Sequence, residues 1–163
     1  MNSTFMRLTI AFIVALCLTI IPMPSLLIGI KPPWVLLLIL YMQFYLPEHF
    51  NLFILILLGL VLDALLSTVI GEHTLALSLI TWIASSKARR FYFFSIGQQM
   101  TLVGFFCFLY QLIMITLDAF LGFHINFVPV IINTILSILL WPWLRLIADD
   151  TLRSKIKIYR NLA

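Results

Sequence analysis

Long apolar runs alternate along the chain with short polar or proline-bearing breaks at residues 22–33, 47–51, 71–73, 86–99 and 122–127. Cutting there leaves six apolar segments, about 5–21, 33–46, 51–70, 74–86, 98–121 and 127–148, each long and unbroken enough to be read as a helix. The third, fifth and sixth reach the roughly 20 residues that cross a hydrocarbon core. The second and fourth, at about 13–14 residues, extend only about 20 Å at the helical rise. Alone, such segments are re-entrant or interfacial; packed among longer helices they cross where a bundle is locally thin.

Composition decides the solvent. Of 163 residues, 63% are hydrophobic and 10% charged, and the mean hydropathy is +1.15. A soluble domain carries about 25% charged residues, so this chain lacks the charge to cover a globule in water. The expectation is an all-α polytopic membrane helix bundle, one integral membrane domain over 1–163 with a short basic tail at 149–163. The N-terminal run has the basic start of a signal peptide but no small-x-small cleavage pattern, and Pro22 and Pro24 end it. It reads as an uncleaved first span. Cys17 and Cys107 lie inside apolar runs and read as small buried hydrophobes.

The net charge of +4 would point to nucleic acid in a soluble protein, but here its distribution matters more, and no nucleic-acid partner is expected. With the N-terminus cytoplasmic, six alternating spans put nine of the ten basic residues at or beyond cytoplasmic ends, leaving Lys31 outside. That is a positive-inside pattern with both termini cytoplasmic, and Lys87, Arg89 and Arg90 carry much of it. The same "KARRFYFFSIGQQ" stretch would suit anionic membrane lipid or an acidic partner, although topology alone accounts for its charges. Trp34, Trp141 and Trp143 fall near segment ends, where an indole with its N–H favours the headgroup boundary, so they are expected to set depth. Pro142 removes a backbone donor and is expected to kink or loosen the last helix.

One carboxylate interrupts the apolar pattern: Asp63, in "GLVLDALLSTVIG". At the centre of a membrane helix it costs about 2.5–3.5 kcal/mol, so it must face protein or a wet cavity. Gly59, Asp63, Ser67 and Gly71 recur every four residues. On one continuous helix they form a stripe of little bulk, suited to close approach of a neighbouring or partner helix. Two readings follow, a packing seam with a polar tie or a proton or ligand site. No buried lysine or arginine is available as a counter-ion, and the candidate ties are Gln43, Gln111, Asn133, Ser78 and Thr81.

Glu72, His73, Asp118 and His124 would share the outer face, but their spacing matches no metal motif, and Glu48 and His49 on the inner side are equally plain. No nucleophile elbow, zinc-protease helix or phosphate loop is present, so no catalytic residue, metal or cofactor is expected.

Three stretches in order carry a family resemblance. "IKPPWVLLLILYMQFYLP" resembles the second-segment entry of the bacterial rod shape-determining MreD family, and "GLVLDALLSTVIGEHTLALSL" is similar to its third-to-fourth-helix region. "NTILSILLWPWLRLI" is similar to its last helix, with a Trp-Pro-Trp element and basic tail. Ser67 stands at or beside a slot where that family often has glycine. The resemblance implies a non-catalytic inner-membrane scaffold of cell elongation, organising peptidoglycan synthesis. Its implied partners are MreC (a single-span protein with a periplasmic domain), the actin-like filament protein and the peptidoglycan polymerase–transpeptidase pair. It also implies a fold similar to the membrane substrate-binding subunit of energy-coupling-factor transporters. The alternative is a small-molecule binding or transport subunit that uses Asp63.

Overall fold

The computed structural model describes residues 2–21, 31–47, 51–86, 88–91, 93–122 and 126–153. Among them the regular structure is helical, with no strand. Six helices have twelve residues or more: α1 (Asn2–Ile20), α2 (Trp34–Tyr45), α3 (Leu52–Leu66), α4 (Glu72–Ser85), α6 (Ile96–Phe120) and α7 (Val128–Ala148). A four-residue α5 (Ala88–Phe91) lies between α4 and α6, and a wider π turn, Asp149–Arg153, follows α7. The helix boundaries have local causes. Asn51 caps α3 by accepting the Phe53 N–H at 3.0 Å, and Ser95 and Gln98 form a reciprocal capping box at the start of α6.

Helices adjacent in sequence pack together, α1 on α2, α3 on α4 and α6 on α7, while α2 and α4 also reach α6. Long-range bonds fix the alternation of direction. Arg7 donates to the Thr151 carbonyl at 2.6 Å, so α1 starts where α7 finishes. Lys31 donates to the Thr19 carbonyl at 3.3 Å at the other extremity. The first we call the basic end, with Arg7, Arg90 and Arg145; the second, with Asp63, Glu72 and Asp118, the acidic end.

α2 explains its own shortness. Every residue from Val35 to Tyr45 is buried, so this helix has no lipid-facing side. A helix apolar all round belongs in the centre of a packing, and at about 18 Å it need match only its neighbours.

The other helices face outward with apolar side chains. Only α6 and the run from Val128 to Thr151 are, among the described helices, long and apolar enough to cross a hydrocarbon core. Their most apolar stretches are just 28% and 22% buried in protein. Phe105, Phe108 and Leu112 on α6, and Ile131, Ile135 and Leu139 on α7, point away from the bundle. The buried set meanwhile includes Gln43, Asp63, Gln99, Gln111, Asn133 and Ser137. Polar groups inside and a continuous apolar exterior are the arrangement lipid imposes.

Three sequence expectations change. First, α3 ends at Leu66, and Ser67 turns left-handed with φ 54° and ψ 34°. Ser67 and Gly71 therefore do not continue the face of Gly59 and Asp63. Second, Trp141 is a core residue with no exposed surface, not a boundary anchor. Its ring meets Phe91 edge-on at 5.9 Å, and Phe91 stacks on Phe44 at 3.8 Å. α5 thus inserts one aromatic ring into the basic end against Trp141, whose buried indole N–H has no hydrogen-bond partner among the described residues. Trp143 is 69% exposed and Trp34 half-buried. Third, α7 continues helical through Pro142, and the widening comes later, at Asp149.

Two glycines mark close helix approach. A methyl on Gly59 would sit 2.5 Å from the Thr74 Cα, a backbone atom that cannot rotate away. A methyl on Gly104 would meet only the Ile138 side chain, at 2.6 Å. Gly59→Ala is therefore expected to lose about 2 kcal/mol through α3–α4 separation, with less for Gly104→Ala, since Ile138 can change rotamer. Thr74→Ala should leave the Gly59→Ala defect largely in place. Chemical denaturation of the four proteins in detergent micelles checks the order.

Candidate functional site: the Asp63 cap

The end of α3 and the start of α4 form one hydrogen-bonded unit. The chain leaves the helix at Ser67, whose N–H and that of Thr68 both return to the Asp63 carbonyl, the latter at 3.1 Å. Thr68, Val69 and Ile70 then cross to Gly71, where φ is 101°. Only glycine adopts that value without strain. Gly71 occupies the N-cap of α4 but has no side chain with which to cap it. The first amides of α4 would be left without acceptors.

Asp63 supplies them across the turn. Its Oδ2 accepts the Gly71 N–H at 2.7 Å and its Oδ1 the His73 N–H at 2.9 Å. His73 Nδ1 lies 3.0 Å from Oδ1, which places a hydrogen on that nitrogen. Weaker contacts come from the hydroxyls of Thr68 (3.3 Å to Oδ1) and Thr74 (3.4 Å to Oδ2). The carboxylate side chain is fully buried. Its charge faces the positive N-terminal end of α4, which offsets its unfavourable place near the C-terminal end of its own helix. Two oxygens offer about four lone-pair sites, and five donors surround them. Nothing is left over to bind a ligand, so this group anchors the turn.

The uncharged ties expected from sequence are engaged elsewhere. Gln43 donates to the Thr81 carbonyl at 2.7 Å, Gln111 to the Val130 carbonyl at 3.3 Å and Ser78 to the Thr74 carbonyl at 2.7 Å. Within α7, Ser137 Oγ donates to the main-chain carbonyl of Asn133 at 2.7 Å. Thr81 donates to the Leu77 carbonyl within α4. Glu72 and His73, read from sequence as loop residues, are buried, and the His73 ring lies edge-on to Tyr110. The overlooked signal was their position just after Gly71, on the first turn of a helix in need of an acceptor. Among the described residues no three His, Cys, Asp or Glu side chains gather at metal-binding distance. His124, His49, Glu48 and Lys87 lie outside the described residues; Arg89 belongs to α5, and Arg90 is exposed.

A second network, at the basic end, was not anticipated. Gln99 Oε1 accepts from the Tyr45 hydroxyl at 3.0 Å and from Arg145 Nη1 at 2.9 Å. Arg145 also lies 3.7 Å from Asp149 Oδ2 and 5.4 Å above the Tyr45 ring. Asp149 Oδ1 accepts the Tyr41 hydroxyl at 2.7 Å. Three helices, α2, α6 and α7, are joined by these side chains.

Comparison with known proteins places this architecture. A family profile described as rod shape-determining protein MreD matches residues 1–149. The chain belongs to the MreD family. The rod shape-determining protein MreD of Haemophilus influenzae is 29% identical over 148 residues, covering 91% of each chain. No solved structure matches. Membership makes this a membrane protein of rod-shape determination, and the Asp63 cap and the Gln99–Arg145 network both lie inside the matched region.

Two outcomes follow for the cap. Asp63→Asn replaces an acceptor with an amide N–H facing other N–H groups, and is expected to cost about 2 kcal/mol in thermal or chemical unfolding in micelles. Ser67→Gly removes an exposed side chain from a left-handed position and should be neutral or stabilising by up to about 1 kcal/mol in the same assay.

Proposed function

We propose that this protein is a non-catalytic membrane scaffold of the cell-elongation machinery, holding components of peptidoglycan synthesis together to maintain rod shape. The observation that carries this reading is the saturation of Asp63 by donors of its own chain. A proton carrier or ligand site needs a carboxylate with free capacity; a scaffold needs a fixed surface. The capped turn offers one. Ile70 is 81% exposed and Val69 46% exposed on a loop whose two ends are tied to the same residue, the Thr68 N–H to the Asp63 main-chain carbonyl and the Gly71 N–H to its carboxylate.

On this reading the bundle crosses the membrane six times with both termini cytoplasmic, in a fold similar to the vitamin-binding subunit of energy-coupling-factor transporters. The clustering of Arg7, Arg90 and Arg145 at one end supports that orientation. The 67–71 turn then faces the periplasm, on the side where MreC carries its folded domain, and MreC is the partner we assign to it. The actin-like filament protein and the polymerase–transpeptidase pair complete the complex. Trp34 and Trp143 would contact the headgroup region, while Lys87, Arg89 and Arg90 hold the orientation. A transport subunit built on Asp63 is the weaker reading, since the carboxylate has no accepting capacity to spare.

The test uses a rod-shaped bacterium depleted of its own family member and complemented with this chain. Asp63→Leu and Ile70→Ser are both expected to reach the membrane, leave cells rounded and lose MreC on co-purification, although Ile70→Ser unfolds like wild type. Rods with intact co-purification in Ile70→Ser would refute the turn as contact surface. Proton-dependent solute uptake by vesicles containing wild type, abolished in Asp63→Leu, would favour transport instead.

A further inference from the structure

Away from both polar networks, an open groove of about 730 Å³ lies between α1, the start of α2 and the latter half of α7. Ile10, Val14, Leu18, Leu140, Leu144 and Ile147 wall it with aliphatic surface. Its charged groups are at the basic end, where Arg7 and Asp150 line it beside Thr151. Water does not fill a hydrocarbon-lined groove at membrane depth, so the groove holds something apolar.

We propose that it is a binding site for an acidic phospholipid, with the acyl chains along the groove and the phosphate at Arg7. Arg7 to Leu18 spans about 16 Å of helix, a length along which acyl chains can run from a headgroup at Arg7.

Charge argues for an acidic headgroup. Arg7 is half-buried at the rim, and its guanidinium has five N–H donors, of which Nη1 is bonded to the Thr151 carbonyl. Asp150 is the opposing charge on the rim, while Asp149 is engaged by Arg145 and Tyr41. The sequence carries Arg153 as the last residue of the π turn and adds Lys155, Lys157 and Arg160 after it. Four cations next to the end of a membrane helix meet the density that attracts anionic headgroups.

The experiment is native mass spectrometry of the full chain in lipid-free detergent, titrated with phosphatidylglycerol or phosphatidylcholine of identical acyl chains. Wild type is expected to retain phosphatidylglycerol about fivefold better, the effect of one basic side chain at a lipid surface. Arg7→Gln should erase that gap while still taking up both lipids. Val14→Trp, at an exposed groove position, should reduce both. Equal retention of the two lipids by wild type, a preference that survives Arg7→Gln, or unchanged uptake by Val14→Trp overturns the proposal. So does a photo-crosslinker at Val14 that captures protein in cells and no lipid.

Discussion

A carboxylate withdrawn from water must have its lone pairs met by donors, and inside a membrane bundle only the chain itself can supply them. Asp63 meets this demand with the amides of Gly71 and His73 and the His73 ring. Several features follow from that one requirement. α3 must end close enough to Asp63 for the chain to turn back. α4 must begin with its amides toward α3. The two helices must then descend side by side, and Gly59, against the Thr74 backbone, permits it.

At the opposite end the same logic works with different groups. Gln99, Arg145, Tyr45, Asp149 and Tyr41 satisfy one another and thereby join α2, α6 and α7. Between the two networks most contacts are apolar, apart from ties such as Gln43 to the Thr81 carbonyl and Gln111 to the Val130 carbonyl, and apolar burial gains little when the alternative is lipid. Packing shape fills that gap. α2 is surrounded on every side, and Phe91 enters from α5 to close the basic end over Phe44 and Trp141. The bundle is thus pinned at its extremities by polar ties and filled in the middle by complementary shape.

Much of the helical layout was legible because breaks in an apolar pattern are visible residue by residue. The breaks at 47–51 and 71–73 coincide with Asn51 capping α3 and Gly71 preceding α4. That Asp63 must be sheltered was also legible, because a lone charge in an apolar run has few physical options. Its partners were not. They come from backbone amides, which every residue has, and so leave no compositional trace. Trp141 misled for a related reason: an indole near a helix end suits both a headgroup and an aromatic core, and only the path of α5 decides between them. The Gln99–Arg145 network was hidden because Tyr45, Gln99 and Arg145 lie 46 or more residues apart along the chain.

The four-residue spacing of Gly59, Asp63, Ser67 and Gly71 shows how one pattern can arise from unlike causes. On an unbroken helix it would mean a smooth face for a neighbour. Here Gly59 alone serves close approach, while Ser67 and Gly71 have positive φ. Smallness at those two positions therefore concerns backbone conformation and not helix contact. A left-handed residue costs about 1–2 kcal/mol without glycine, and Ser67 is held in place by its bond to the Asp63 carbonyl. A turn that tolerates such a residue is one whose geometry is set from outside it. That outside constraint is the Asp63 carboxylate, which ties the turn's far end to α3 and so gives Val69 and Ile70 a fixed position on the surface.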